Sequence, residues 1–210
     1  MKKIYKIQFK TFFLFVFAFW GVSCAFAEKI TFSARHMYGS ASANQERTIL
    51  EGNAVIQTEN LKIRATQIEL SGESYRYVDA TGDVKGASDD GFNFTCGKMR
   101  YDRKTGIVSL ENSVELTDDA NDVNGKAQLV EYDLNNEVAI LQIDVNLKNK
   151  NSLCTGALAI YRKKQKLIEL SGSPKIVRDG DVFKAQKILL DMTSEEITLD
   201  GKVQGSVSTD

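Results

Sequence analysis

Apolar residues return at every second position around six points of the chain. In the first of them, Thr48 to Gln57, the residues Thr48, Leu50, Ala54 and Ile56 alternate with mostly polar ones about Gly52. The equivalents of Gly52 are Gly82, Asn112, Ile143, Gly172 and Gly201, at spacings of 30, 30, 31, 29 and 29 residues. Two positions before these points stand Leu50, Ala80, Leu110, Leu141, Leu170 and Leu199, and two after them Ala54, Val84, Val114, Val145, Pro174 and Val203. A period of two predicts a strand with one dry face. Six copies at near-fixed spacing predict a stacked all-β array in which each copy covers the apolar face of the next.

Each copy has a second half. Leu61-x-Ile63-x-Ala65-x-x-Ile68-x-Leu70 returns as Phe92-x-Phe94-x-Cys96-x-x-Met99-x-Tyr101, and again from Val123 through Val130 to Tyr132, from Cys154 to Tyr161, and from Phe183 through Ile188 to Leu190. The step of three between Ala65 and Ile68 breaks the alternation, and a bulge that inserts an extra residue there would turn the strand without exchanging its faces. Asp, Asn, Gly and Ser clusters separate the halves, as turns require. Before the array, Lys29 to Ala34 alternates as a first strand, and Gly39 to Glu46 reads as a loop. About six tandem two-strand units, roughly a dozen strands with no helical period, predict an antiparallel sheet folded over on itself.

Residues 1–27 carry a different pattern. Lys2, Lys3, Lys6 and Lys10 precede an apolar run from Phe12 to Trp20, and Ala25-Phe26-Ala27 forms a small-x-small site before Glu28. This is the layout of a secretory signal peptide, with the domain occupying residues 28–210. An uncleaved helix from about Ile7 to Ala27 is long enough to anchor the chain, and Cys24 after Val22-Ser23 would be the acylated residue of a lipoprotein. All three readings put the domain outside the cytoplasm. Cys96 and Cys154 lie two repeats apart, about 10 Å if neighbouring repeats stack at strand spacing, too far for a disulfide. Both read as small buried hydrophobes.

Composition narrows the chemistry. With 27 basic and 28 acidic residues there is no nucleic-acid footprint. His36 is the only histidine, which removes most nucleophile and metal constellations. Asp118 to Asn124 resembles a calcium loop superficially, but its glycine and closing glutamate are misplaced, and a solvated hairpin tip is expected. Asp79, Asp83, Glu111 and Glu115 alternate outward as strand-face charges, and nothing singles out a catalytic pair. No cofactor is implied and no enzyme is expected.

What is unusual is the amount of apolar surface on one side of a long sheet. It is a filled core, or it is a trough between incompletely closed halves. A fatty chain of a dozen carbons costs on the order of 10 kcal/mol to draw through water, so a carrier needs a continuous dry lane. Ile56, Leu61, Ile63, Ala65, Ile68, Val84, Phe92, Phe94, Met99, Val114, Leu116, Val130, Val145, Phe183 and Ile188 are the inward positions that would line it.

Leu50-Glu51-Gly52-Asn53-Ala54-Val55, followed by Leu61-Lys62-Ile63-Arg64-Ala65-Thr66-Gln67-Ile68, resembles the signature of the LptA/OstA family of lipopolysaccharide-transport proteins. Ile30 to His36 is similar to that family's opening strand, and Tyr101-Asp102 and Tyr132-Asp133 to its later ones. Ala54, Thr66 and Ile143 depart from the pattern. The resemblance implies a twisted antiparallel β-jellyroll, or β-taco, in the periplasm. It further implies a non-catalytic carrier that shields the acyl chains of lipopolysaccharide or a related glycolipid, joined head to tail with itself and with LptC-like and LptD-like jellyroll domains. Ile30, Phe32, Ile197, Leu199 and Val203 would then lie on the joining edges, since unpaired terminal strands invite strand addition. A membrane-anchored LptC-like component is the alternative within this fold. Outside it stand a parallel β-helix enzyme acting on polysaccharide and a scaffold with a filled interior.

Overall fold

The computed structural model describes residues 29–42 and 45–208; the expected leader, and both alternatives to it, lie outside them. The strands are β1 (Thr31–Ser33), β2 (His36–Ser42), β3 (Gln45–Gln57), β4 (Leu61–Ser71), β5 (Tyr77–Ser88), β6 (Phe92–Asp102), β7 (Ile107–Asp118) and β8 (Val123–Asp133). They continue as β9 (Val138–Asn149), β10 (Ser152–Arg162), β11 (Leu167–Ser171), β12 (Lys175–Arg178), β13 (Asp181–Lys184), β14 (Lys187–Asp191), β15 (Ile197–Asp200) and β16 (Gln204–Ser206). Every ladder among the described residues is antiparallel. That excludes the parallel β-helix. No helix of the described residues is long and apolar enough to cross a membrane.

β1 and β2 are two halves of one interrupted strand, pairing with opposite ends of β3. β11 with β12, β13 with β14, and β15 with β16 divide in the same way, so the sheet holds the expected dozen long strands. The interruptions and bulges fall at one level across the whole sheet. There the chain turns a corner, and the sheet folds into two facing walls. Wall one contains β2, β11, β14, β15 and the adjoining halves of β3 to β10; wall two contains β1, β12, β13, β16 and the other halves.

The repeat columns make the corner. At Gly52–Asn53, Gly82–Asp83, Asn112–Ser113, Ile143–Asp144, Gly172–Ser173 and Gly201–Lys202 two successive residues are left-handed, with φ of 67–79° at the first and 47–59° at the second. In β3 the ladder to β4 jumps from Glu51↔Gln67 to Ala54↔Ala65. The extra residue therefore sits opposite the step of three, on the glycine-bearing strand, and not within Ala65 to Ile68 as expected. A step of four on one strand matches a step of three on its neighbour, and inward residues stay inward on both: Leu50, Ala54, Ala65 and Ile68 are all buried. The apolar face is covered by the opposite wall and not by the next repeat, which lies beside it in the same sheet.

The stretch from Gly39 to Glu46 is also not a plain loop. Its first half belongs to β2, paired with β3 from Met37↔Leu50 to Ser42↔Gln45. Backbone pairing satisfies its N–H and C=O groups although its residues are small and polar. Cys96 and Cys154 are unpaired and buried, and burial pushes their thiols up to about 11 and about 12.

Ile143 is the odd member of the corner column. A β-branched side chain at φ 67° is strained, and half of Ile143 is solvent-exposed, so packing does not compensate. Ile143→Gly is expected to raise stability by about 0.5–1 kcal/mol, the left-handed strain relieved less the extra entropy of glycine. A denaturant midpoint below that of the parent would contradict this account of the corner.

Candidate functional site: the interior between the walls

Alternation puts the inner faces of the two walls against each other. Ile56, Leu61, Ile63, Ala65, Ile68, Val84, Phe92, Phe94, Met99, Val114, Leu116, Val130, Val145 and Ile188 are at most 5% exposed and belong to one continuous cluster, with Phe183 half-buried against it. The structure thus brings every expected trough residue to one face. In this closed state they pack on one another. On wall two Gly86 pairs with Phe94, Gly125 with Leu116 and Gly205 with Phe183. A Cβ at Gly86 would lie 2.0 Å from Phe94 Cζ, so the ring fills the space that the glycine leaves.

An open cavity of about 320 Å³ lies at the N-terminal mouth, between Ile30, Phe32, Met37, Thr48, Leu70 and Tyr75, with Ser74 and Arg103 completing its lining. That is near the lower limit for a small-molecule site. Tyr75 accepts a hydrogen bond from Thr48 Oγ1 at 3.2 Å, and Arg103 Nη1 donates to the Ser74 and Tyr75 carbonyls at 2.9 Å. Ile30 and Phe32, expected on an edge, therefore serve the mouth as well. β1 and β2 pair only with β3 on one side of the sheet, β15 and β16 only with β14 and β13 on the other. Both expected edges are free of further ladders among the described residues, with Phe32 and Val203 about half exposed.

Midway along the molecule the rims are latched. Tyr132 near the rim of wall one donates to Asp90 Oδ2 in a wall-two turn, and its ring stacks on Phe92 at 3.9 Å between centroids and 12° between planes. Tyr161 donates to Asp118 Oδ2 at 2.6 Å. Between them Lys163, 8% exposed, donates to the Asp90 carbonyl and lies 3.7 Å from Oδ2 of both Asp90 and Asp118. The tip is solvated at Asp119, Asp122 and Asn124 as expected, but Asp118 departs from it and is fully buried. Its Oδ1 has no hydrogen-bond partner. Among the described residues no cluster of His, Cys, Asp and Glu could hold a metal ion, and Lys163 supplies the positive charge here.

Burial works to raise the Asp90 carboxyl. Hydrogen bonds from Ser88, Tyr132 and the Phe92 amide, with the Lys163 charge, outweigh it and hold the group below the usual carboxylate range. Burial and then the adjacent carboxylates push the Tyr132 and Tyr161 phenols far up. The latch was missed because Asp and Asn read as turn residues. Its signal was a column six positions after the corner, Thr58, Ser88, Asp118 and Asn149, polar at an inward parity and buried in every case.

Outward charges form cross-strand pairs. Arg100 holds Asp79 by two hydrogen bonds, of 2.8 and 3.0 Å, and Lys98 meets Glu111 at 3.3 Å and Lys126 Glu115 at 2.6 Å. Of the expected strand-face charges, Asp79, Glu111 and Glu115 are thus engaged by cations.

Residues 33–158 and 126–196 match the family described as LptA/(LptD N-terminal domain) LPS transport protein. Among solved structures the chain is similar to LptH, the LptA homologous periplasmic component of the lipopolysaccharide transport device of Pseudomonas aeruginosa. Identity is 10% over 87% of this chain and 96% of that one, with a TM-score of 0.26. No curated protein matches.

Proposed function

The chain belongs to the LptA and LptD N-terminal-domain family of lipopolysaccharide-transport proteins, and from that premise we propose that it is a non-catalytic periplasmic carrier or bridge. Its interior shields the acyl chains of lipopolysaccharide or a related glycolipid during passage from the inner to the outer membrane. The observation that carries this reading is the single apolar cluster running between two walls from one free sheet edge to the other.

Among the described residues the inward side chains are buried in one cluster, so passage of a multi-acyl lipid requires the walls to part. What holds the rims at mid-length is polar and non-covalent. Burying a dozen methylenes contributes on the order of 10 kcal/mol, against about 3–5 kcal/mol for breaking one buried ionic contact. An entering chain can therefore drive the opening while replacing the apolar contacts that the separating walls lose. The free edges supply head-to-tail contacts to a second copy or to LptC-like and LptD-like domains by strand addition.

Photocrosslinkers at Ile63, Phe94, Val114 and Phe183, tested during transport, are expected to capture glycolipid at all four positions. If none captures lipid while the protein remains folded, the interior is only a core and the carrier reading fails.

A further inference from the structure

The outer face of wall two carries an excess of unpaired cations, and that of wall one does not. On wall one most acids are neutralised in place: Glu69 by Arg47, Asp79 by Arg100, Asp102 by Arg76, Glu111 by Lys98 and Glu169 by Lys187. On wall two the strand-face cations Lys62, Arg64, Lys85, Lys148, Lys175 and Lys184 form no ion pair among the described residues. Lys126 meets Glu115, and the exposed Asp83 and Asp144 stand at the corner beside the row.

The register lines these cations up. Arg64↔Lys85, Lys85↔Thr95, Thr95↔Glu115, Glu115↔Lys126, Lys126↔Asn146, Asn146↔Thr155, Thr155↔Lys175 and Lys175↔Lys184 form one unbroken cross-strand row. It runs along the trough axis. Lys62 and Lys148 flank it one pleat nearer the rim, on the same face. Twice, at Arg64↔Lys85 and Lys175↔Lys184, like charges stand directly opposite, an arrangement that destabilises a sheet. A sequence that neutralises most acids of one wall and leaves like charges directly opposed on the other has a counter-charge for them outside the fold.

We propose that the outer face of wall two is a docking surface for an anionic membrane, on which the protein, as a carrier and not as a link in a bridge, lies with its trough axis parallel to the bilayer. Several features select lipid over protein as the occupant. The cations are mostly lysines, which protein interface cores exclude, and the row holds no aromatic anchor. Flexible ammonium groups between Thr, Asn and Gln suit a fluid array of phosphates better than a fixed partner. The complementary surface on a second copy, wall one, has most of its acids already engaged. Juxtamembrane cations of this kind act additively and over a Debye length. The inference does not depend on what the interior carries.

Sedimentation of the full chain with vesicles, the same N-terminus in every sample, tests it. Binding to equal parts phosphatidylcholine and phosphatidylglycerol is expected to exceed binding to phosphatidylcholine alone and to fall with added salt. Lys85→Gln with Lys184→Gln is expected to weaken the anionic component about thirtyfold, five- to sixfold per charge. Because each change relieves a like-charge pair, the double variant is also expected to unfold at a higher temperature, which separates lost docking from lost folding. Lys98→Gln on wall one is the control and leaves vesicle binding unchanged. Equal binding to both vesicle types, or full anionic binding by the double variant, overturns the proposal. So does a dimer that the double variant abolishes in the absence of vesicles, since that would assign the face to a second copy.

Discussion

Replacing Lys163 with alanine is expected to lower the free energy of unfolding by about 3–5 kcal/mol, because it leaves the buried Asp118 carboxylate and the part-buried Asp90 carboxylate without their shared cation. Lys163 is 8% exposed and lies 3.7 Å from both Asp90 and Asp118. Its neighbour provides the contrast. Lys164 has more than half of its side chain in water and meets Glu137 at 3.3 Å, and Lys164→Ala is expected to cost less than about 1 kcal/mol. Chemical denaturation of the two variants distinguishes them, and equal losses would mean that the latch contributes nothing beyond a surface pair.

The pH dependence of this loss follows from the direction of each shift. Asp90 is held below its ordinary value, so its contribution is present above the unfolded carboxylate pKa, about 4, and is lost as pH falls below it. The parent and Lys163→Ala should therefore converge in acid. The phenols of Tyr132 and Tyr161 are shifted upward, so their contribution is complete below the unfolded phenol value, about 10, and is lost as pH rises beyond it. On the carrier reading, a weakened latch also favours the open trough. Lys163→Ala should then yield more glycolipid crosslinked at Val114 than the parent does, at a temperature where both are folded.

Much of this architecture was legible because inward positions obey a period of two, and the corner column preserves that parity in every copy. The dozen strands, the buried cysteines and the two free edges follow from it. The corner was visible only in part. Glycine and asparagine at Gly52, Gly82 and Asn112 marked the alignment, yet which strand carries the extra residue is a property of the ladder between two strands, absent from either alone. Ile143 obscured the left-handed requirement further, because its type argues against the conformation it adopts. The latch escaped for a chemical reason: Asp90 and Asp118 are the residues that turns prefer on any sheet. The tyrosine hydroxyls were the better clue, since a phenol at an inward position needs a partner, and Tyr132 and Tyr161 could find theirs only on the opposite rim. The basic face was hidden by a net charge of −1. A balanced total carries no information about how charge is divided between two walls.

Phe92→Ala is the substitution that best separates a conduit from a filled core, and it is expected to cost about 3–5 kcal/mol. Phe92 is fully buried, and its ring lies against Tyr132 from the opposite wall. Truncation therefore removes apolar contact across the interior and leaves a void at mid-length. Tyr132→Phe keeps the stacked ring and removes only the hydroxyl that donates to the part-buried Asp90, so it should cost less, about 1–3 kcal/mol for one lost hydrogen bond to a charged group. The order of the two losses, read from denaturant midpoints, tests whether packing or hydrogen bonding dominates the closed state. The void has a second consequence. If the interior admits acyl chains, Phe92→Ala offers one a seat already vacated, and a fluorescent fatty acid should bind the variant more tightly than the parent although the variant is less stable. Tyr132→Phe, which opens no void, should gain less. A variant that loses stability and shows no gain in fatty-acid binding would mean that the space between the walls is closed to chains, whatever the family of the protein.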